Sequence, residues 1–301
     1  MRILVTGGAG FIGKHLVNYL LKKGNKVTIF DNFSNSNKKS IEILQNEDVK
    51  IIEGDIREIE DILNAAKDQN IIIHLAAKIS VEESIMNPFE TFNVNVDGTK
   101  NVLEACKKNK ISKLIVASSA AVYGDSLSDI KLTENAKINP VSPYGESKAR
   151  MEKEIIKFLT KNENIDCIIL RFFNIFGIGQ TSEYAGVITK FLERIKQNQA
   201  LQVFGDGTQT RDFVSVNDVV SSIYDAIIFG KSGTYNIASG KTITINELAK
   251  LMISWSRKNL EIQYLPQKKG DIKFSQAGIG LAKKEIKYSP KFGLEEIKKF
   301  L

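Results

Sequence analysis

Cysteine, histidine, proline and tryptophan are all scarce in this 301-residue chain, with two, two, five and one copies respectively. Cys106 and Cys167 sit in periodic helix-like and strand-like contexts without a Cys/His cluster around them. A disulfide scaffold and a metal centre are therefore excluded as organising principles, and both thiols are expected to be reduced core residues. His15 is expected on a helix face and His74 at a strand end, neither as a catalytic base. No apolar stretch reaches the roughly 18 uncharged residues of a membrane helix, and the first residues enter a strand without a secretory layout. A cytoplasmic protein with no membrane partner is expected. Internal repeats and low-complexity linkers are also missing. At 43% hydrophobic and 26% charged residues, the composition excludes disordered and collagen-like chains. The positive charges, 42 against 35 negative for a net +7, are scattered lysines that become denser after Lys241. No tight basic block supports a nucleic-acid surface, whereas a small anionic ligand needs only a few such cations.

What is present is a rhythm. Short β-branched runs (Ile3 to Val5, Lys26 to Phe30, Val49 to Ile52, Ile71 to Leu75, Leu114 to Ala117, Cys167 to Leu170) alternate with helical periodicity at Phe11 to Lys23, Ile59 to Lys67, Val94 to Asn109 and Tyr144 to about Thr160. Buried strands alternating with helices predict an α/β fold with a doubly wound parallel sheet, Rossmann-type, covered on both faces. Beyond Arg171 the rhythm loosens into a helix at Val187 to Gln197, a hairpin-like piece from Val203 to Val214, a helix from Val216 to Phe229, a strand at Tyr235, a helix from Ile245 to Ser254, a strand at Ile262 to Leu265 and helical ends near Leu281 and Leu294. The expected division is a dinucleotide-binding domain over 1–172, rejoined by 211–237, and a smaller interleaved lobe from 173–210 and 238–301.

The first strand runs into Thr6-Gly7-Gly8-Ala9-Gly10-Phe11-Ile12-Gly13 and an amphipathic helix. Glycines at Gly7, Gly10 and Gly13 permit a tight turn, close approach of backbone N–H groups to a pyrophosphate, and close helix–sheet packing. Asp31 closes the second strand, where a carboxylate accepts both ribose hydroxyls of an adenosine and repels a 2′-phosphate, which favours NAD over NADP. Gly54-Asp55-Ile56 forms a second acidic turn in reach of the adenine.

Downstream stand Ser118-Ser119-Ala120-Ala121 and then Ser142-Pro143-Tyr144-Gly145-Glu146-Ser147-Lys148. Ser142 as N-cap with Pro143 at the first helical position places Tyr144 in the first turn. Lys148 follows on the same face. A phenol is a poor base at pH 7. Lowering its pKa by about 3 units takes about 4 kcal/mol of preferential phenolate stabilisation, which a nearby ammonium and a helix N-terminus are expected to supply. Ser119 would share the hydrogen bond to a carbinol oxygen.

These motifs resemble the extended short-chain dehydrogenase/reductase family, and within it the NAD-dependent nucleotide-sugar epimerases of the UDP-glucose/UDP-galactose 4-epimerase type. The resemblance spans nearly the whole chain, through His74-Leu75-Ala76-Ala77, Asn95 to Thr99, Arg171 to Gly177, Gly205 to Phe213 and Gly270-Asp271-Ile272. It implies Ser119, Tyr144 and Lys148 as the catalytic triad, with Tyr144 and Lys148 also touching the cofactor. It implies a cofactor cleft containing Gly7, Gly10, Phe11, Ile12, Gly13, Asp31, Asn32, Asp55, Ile56, Leu75, Ala76, Ala77, Lys78 and Asn95. On the substrate side it implies Asn174 and Arg211 at a diphosphate, Val187 at the nucleotide base, Phe204 among the substrate contacts, Ser80, Ser84 and Ser119 toward the hexose, and Lys268 where relatives often have an arginine. Arg211 also makes independent sense, because a guanidinium grips phosphate with two parallel hydrogen bonds; a strand-edge ion pair with Asp212 is its other reading.

The implied reaction is NAD-dependent 4-epimerisation of a UDP-hexose through a transient 4-keto sugar, by a homodimer associating through the Val94 and Tyr144 helices. Ala120 and Ala121 stand where 4,6-dehydratases usually carry Asp-Glu and related decarboxylases a glutamate, so epimerisation is favoured over dTDP-glucose dehydration and UDP-glucuronate chemistry. Ser275 resembles the position where a bulky side chain restricts the sugar pocket, so N-acetylated hexoses are expected to fit. A non-catalytic NAD-binding protein is the competing class, which loss of Ser119, Tyr144 or Lys148 would have favoured.

Overall fold

The computed structural model describes residues 1–42, 47–126, 130–180, 186–267 and 272–301. Lys268, Gly270 and Asp271 lie outside them. The first half runs β1 (Arg2–Thr6), α1 (Phe11–Lys22), β2 (Lys26–Asp31), α2 (Lys39–Glu42), β3 (Val49–Glu53), α3 (Ile59–Ala65), β4 (Ile71–His74), α4 (Val81–Met86) and α5 (Pro88–Phe92). A π-helical turn at Asn93–Asp97 then leads to α6 (Gly98–Lys108), β5 (Lys113–Ser119), a 3-10 turn at Ala120–Val122, α7 (Pro143–Leu159) and β6 (Asp166–Phe172). The second half comprises β7 (Asn174–Phe176), α8 (Val187–Lys196), β8 (Leu201–Phe204), β9 (Thr210–Ser215), α9 (Val216–Phe229), β10 (Gly233–Ile237), β11 (Thr242–Thr244), α10 (Ile245–Ser256), β12 (Ile262–Leu265), α11 (Gly280–Glu285) and a 3-10 turn at Leu294–Phe300.

Seven parallel strands form the main sheet in the order β10-β6-β5-β4-β1-β2-β3. The order reverses between β1 and β4, and that switch point opens a crevice at the carboxyl ends of the strands. Strand residues such as Ile3, Leu4, Val5, Ile72, Ile73, Leu114 and Ile168 are fully buried, because helices cover both faces. One core layer joins α1 and α9 to the sheet; the other joins α3, α6 and α7. α9 and β10 return the chain to this body after the excursion through α8, β8 and β9. A separate core, including Phe191, Leu248, Met252 and Ile297, holds the smaller lobe.

The expected hairpin at Val203 to Val214 is not formed. β8 pairs in parallel with β12, and β9 pairs with β7 in parallel and β11 antiparallel. The Gly205-Asp206-Gly207 turn therefore changes sheets rather than folding a strand back on its neighbour. The helices α4 and α5 also lie outside the expected alternation. They are short, capped by Ser80 and by Asn87 with Pro88, and too brief to show a period.

Candidate active site

β1 delivers the chain to Gly7 at φ +68°, where a Cβ atom would lie 2.6 Å from the backbone nitrogen of Ala76. At Gly13 a Cβ atom would lie 2.4 Å from the Gly7 carbonyl oxygen. The turn is thus pressed between the loop after β4 and the first turn of α1, and only hydrogen fits at both points. No side chain caps α1 at Gly10. Its first N–H groups and the positive helix end remain directed toward the crevice, as an anion site requires. A cavity of about 900 Å³ opens there. Gly7, Gly10, Phe11, Ile12, Gly13, Asp31, Asn32, Asp55, Ile56, Leu75, Ala76, Ala77 and Lys78 line it. These features, a side-chain-free phosphate turn with a carboxylate at the far wall, fit a dinucleotide.

Asp31 also organises the cavity. One oxygen accepts the Ala9 N–H at 2.9 Å; the other accepts the Phe33 N–H at 2.9 Å and the Ser36 hydroxyl at 3.2 Å. The oxygen bonded to Ala9 keeps a lone pair for a ribose hydroxyl, whereas the other already accepts two donors, of which the Ser36 hydroxyl is the one a ribose can displace. Asp55 is gripped by Arg57 through Nε at 3.0 Å and Nη2 at 2.7 Å, while Nη1 reaches Glu90 of α5 at 3.0 Å. Burial works to raise the Asp55 carboxyl, but hydrogen bonds from the Arg57 side chain and N–H, and from Asn32, bring it down to about 2. Arg57 and Ser36 both line this cavity and were missed from the sequence. The Asp-x-Arg spacing was a usable signal for the first, and the Asn/Ser-rich loop a weak one for the second.

Ser119, Tyr144 and Lys148 converge from the end of β5 and the first turns of α7. Ser142 caps α7 by accepting the Gly145 N–H at 3.1 Å. The Ser119 hydroxyl stands by the Tyr144 phenol and favours its ionised form, and it accepts the Ala121 N–H at 3.1 Å. Lys148 is buried, and its Nζ donates to the Ala117 carbonyl at 2.9 Å. One expectation is corrected here: the phenol is not lowered. Burial pushes it up and only the Ser119 hydroxyl pulls it down, because the ammonium is turned to the β5 carbonyl. Burial brings Lys148 down to about 8, against an upward pull from Glu152.

Asn95, in the π-helical turn, does not line the large cavity. Its amide accepts the Lys78 N–H at 2.8 Å and donates to the Lys78 carbonyl at 2.9 Å and the Ser147 hydroxyl at 2.9 Å. Ser147 in turn donates to the Tyr144 carbonyl at 2.7 Å. Asn95 therefore ties the cofactor-side loop to the helix that carries Tyr144. Ser84, expected toward the hexose, is instead fully buried: it accepts the Tyr144 N–H at 3.1 Å and donates to the Val81 carbonyl at 2.7 Å. Ser80 is the N-cap of α4. His74 lies between Thr6 at 2.7 Å and Thr99 at 3.0 Å. Because Thr99 donates to the Asn95 carbonyl, the ring must donate from Nε2 and accept at Nδ1. Burial, and then Lys148, hold this imidazole down to about 3, so it is a neutral connector.

A second cavity, of about 380 Å³, lies in the smaller lobe. Asn174, Val187, Phe204 and Arg211 line it, as expected, together with Gln209 from the Gly205 to Phe213 motif and with Gln180, Lys190 and Gln202, which no sequence signal singled out. Gln180 lines both cavities. Beside Arg211, the fully buried Asp212 carboxylate accepts from the Ser239 N–H and hydroxyl, the Gly240 N–H and the Ala277 N–H, which fastens two loops to β9. Ser275 is buried and lines neither cavity.

Among the described residues no helix is long and apolar enough to cross a membrane, and no group of His, Cys, Asp and Glu is placed to hold a metal. Residues 3–238 match the model of the NAD dependent epimerase/dehydratase family. A Methanocaldococcus jannaschii protein named "Putative UDP-glucose 4-epimerase" is 42% identical over 82% of this chain and 79% of its own length. The UDP-glucose 4-epimerase of Thermotoga maritima, solved with UDP-glucose, superposes with a TM-score of 0.94 at 32% identity, covering 100% of this chain and 97% of that one. The UDP-N-acetylglucosamine 4-epimerase of Methanobrevibacter ruminantium, solved with UDP-N-acetylmuramic acid, gives 0.92 at 35% identity over 99% and 95% of the two chains. With its glycine turn and its Ser119, Tyr144 and Lys148 group, this chain belongs to the NAD dependent epimerase/dehydratase family.

Proposed function

We propose that this chain catalyses the NAD-dependent 4-epimerisation of a UDP-hexose through a transient 4-keto sugar. The observation that carries this reading is the meeting of Ser119, Tyr144 and Lys148 beside a turn, Ala120–Val122, that offers no acid or base for elimination or decarboxylation. Gly7, Gly10 and Gly13 would hold the NAD pyrophosphate, Asp31 its adenosine ribose and Asp55 its adenine. NAD, when bound, supplies a reversible acceptor for the C4 hydrogen and its electron pair. The chain's own residues handle the proton and the tether. Tyr144 Oη takes the C4 hydroxyl proton and later returns it, with Ser119 hydrogen-bonded to both oxygens and offsetting part of the cost of burying a phenolate, while Lys148 holds the end of β5 beside them. Asn174 and Arg211 grip the diphosphate, leaving the sugar free to turn so that its opposite face is presented. No net oxidation results.

Incubating the purified protein and NAD with UDP-glucose, UDP-galactose, their N-acetylated counterparts, UDP-glucuronate and dTDP-glucose, and separating products by chromatography, tests this. Interconversion of 4-epimers is the expected result; dehydrated or decarboxylated products alone would reject it. The small Ser275, from which use of N-acetylated sugars is expected, lies buried outside both cavities; an unchanged ratio of acetylated to plain turnover in Ser275→Tyr would remove that residue from the argument. The enzyme is further proposed to work in the cytoplasm as a homodimer through α6 and α7. Support comes from Ile156, exposed on α7, and from Ile85, Met86 and Phe89 exposed on the neighbouring α4 and α5. Sedimentation equilibrium at the mass of a single chain would refute the dimer.

A further inference from the structure

Behind the triad lies a buried ionic cluster that the mechanism above does not use. Glu152 stands one helical turn beyond Lys148 on α7, so the two side chains share a face. Its carboxylate accepts the Ser118 hydroxyl at 2.5 Å and, from Arg171 of β6, Nε at 3.0 Å and Nη2 at 2.7 Å. Ser118, Glu152 and Arg171 are all buried. Ser118 immediately precedes Ser119, and the carbonyl before it, that of Ala117, receives Lys148 Nζ. Arg171 is itself fixed from behind: its Nη1 donates to the Tyr123 hydroxyl at 2.8 Å and to the Glu134 carbonyl at 3.0 Å. One carboxylate therefore locks the end of β5, the catalytic helix and β6 into a single geometry.

We infer that Glu152 is a positioning residue for the reaction, keeping Lys148 in its ammonium form and so setting the alkaline limit of activity. This rests on the reading of Tyr144 and Lys148 given above. The groups around Lys148 leave Glu152 as its supporting charge. From β4 comes His74, which is neutral; from β5, the Ala117 carbonyl; from its own helix, Tyr144, Met151 Sδ at 4.0 Å and Glu152; and from β6, Arg171, which lies on the carboxylate. Burial alone drives the ammonium toward the neutral amine, and Glu152 opposes it, leaving Lys148 at about 8. Remove the carboxylate and only the downward influence remains.

The test compares wild type with Glu152→Gln. In the kcat/KM profile, the alkaline limb of the variant should fall at a pH at least one unit lower, so that a loss of about fivefold or more at pH 8 is much smaller at pH 6.5. A role confined to packing would lower the rate equally at every pH and leave the limb in place, which would overturn the inference. Glu152→Asp, which keeps the charge, should keep the limb even where its rate is lower; a limb displaced as in Glu152→Gln would also overturn it. Because a lone Arg171 in the core can prevent folding, Glu152→Gln combined with Arg171→Met serves in its place, with the same downward displacement expected and an unmoved limb counting against the inference. A readout independent of turnover is the titration of the Lys148 Nζ resonance in lysine-labelled protein, assigned with Lys148→Met. An unchanged midpoint in Glu152→Gln rejects the role of Glu152, whereas wild-type protein that interconverts no UDP-hexose rejects the epimerase reading and leaves this midpoint still readable.

Discussion

The two cavities are walled by different materials. The larger, at the switch point between β1 and β4, is walled on its phosphate side by backbone, a glycine turn and an uncapped helix end, with carboxylates at the far side that are already oriented: Asp31 by Ala9, Phe33 and Ser36, and Asp55 by Arg57. The smaller meets its ligand with long side chains, including Arg211, Lys190, Gln180, Gln202 and Gln209, set among Phe191, Phe204 and Phe213. A backbone wall is intolerant of added atoms and indifferent to most side-chain identities around it. A side-chain wall reverses this: it accepts reshaping but depends on each functional group. On the reading proposed above, one half of the molecule would hold a constant ligand and the other would choose.

Substitutions can break that contrast or sharpen it. The largest effect is expected outside both walls. Tyr144→Phe should lower kcat by about a thousandfold or more, as removal of a general acid–base group does, while NAD and UDP each bind as before by calorimetry; near-normal turnover would eliminate Tyr144 as the proton acceptor. Next, Gly13→Ala drives a Cβ into the Gly7 carbonyl and should weaken NAD binding by about a hundredfold, roughly 2.7 kcal/mol, with UDP binding intact. Loss of both ligands together would show that the walls are not independent. Arg211→Ala should do the converse, raising KM for the sugar nucleotide about tenfold to a hundredfold through lost charged hydrogen bonds and sparing NAD affinity.

Smaller effects fall on the frame behind the larger cavity. His74 is neutral down to about pH 3 in the folded protein but protonates near 6.5 when unfolded. Its contribution is fully present above 6.5 and is lost as pH falls from 6.5 toward 3, because the unfolded state takes up the proton first. Between pH 7 and pH 5 that loss should be about 2 kcal/mol in denaturant titrations, and His74→Asn should flatten it; an identical slope in the variant would dismiss His74 as the source. The smallest effect is expected from Ser142→Ala, about 1 kcal/mol of stability through the lost cap of α7.

The same contrast explains what the sequence made legible. The cofactor side is written in contiguous segments at strand ends, so Thr6 to Gly13, Asp31 and Asp55 identify themselves by spacing, and alternating strands and helices dictate the sheet that carries them. The smaller cavity, proposed for the nucleotide sugar, gathers α8, β8, β9 and the loop before α8 from separate stretches. Its glutamines carry no spacing signal, and the pairing of β8 with β12 rather than with β9 is set by packing on Phe191 and Leu248, not by local pattern. Ser84 misled for a related reason. A serine beside a catalytic tyrosine is equally compatible with touching a sugar and with satisfying the first turn of a helix, and only the fold decides. The lowered phenol expected for Tyr144 failed because sequence spacing registers a lysine one turn away but not the carbonyl toward which that lysine bends.

The return of β10 to the main sheet has its own consequence. It covers β6, which otherwise would be the outermost strand, with a full row of backbone hydrogen bonds from Gly233 to Ile237. A fragment stopped at residue 172 would keep every glycine of the phosphate turn yet leave β6 with a bare, apolar flank, an invitation to strand addition by other copies. Attempts to harvest the nucleotide half as a stand-alone module should therefore yield aggregates unless the later strand is spliced back beside it.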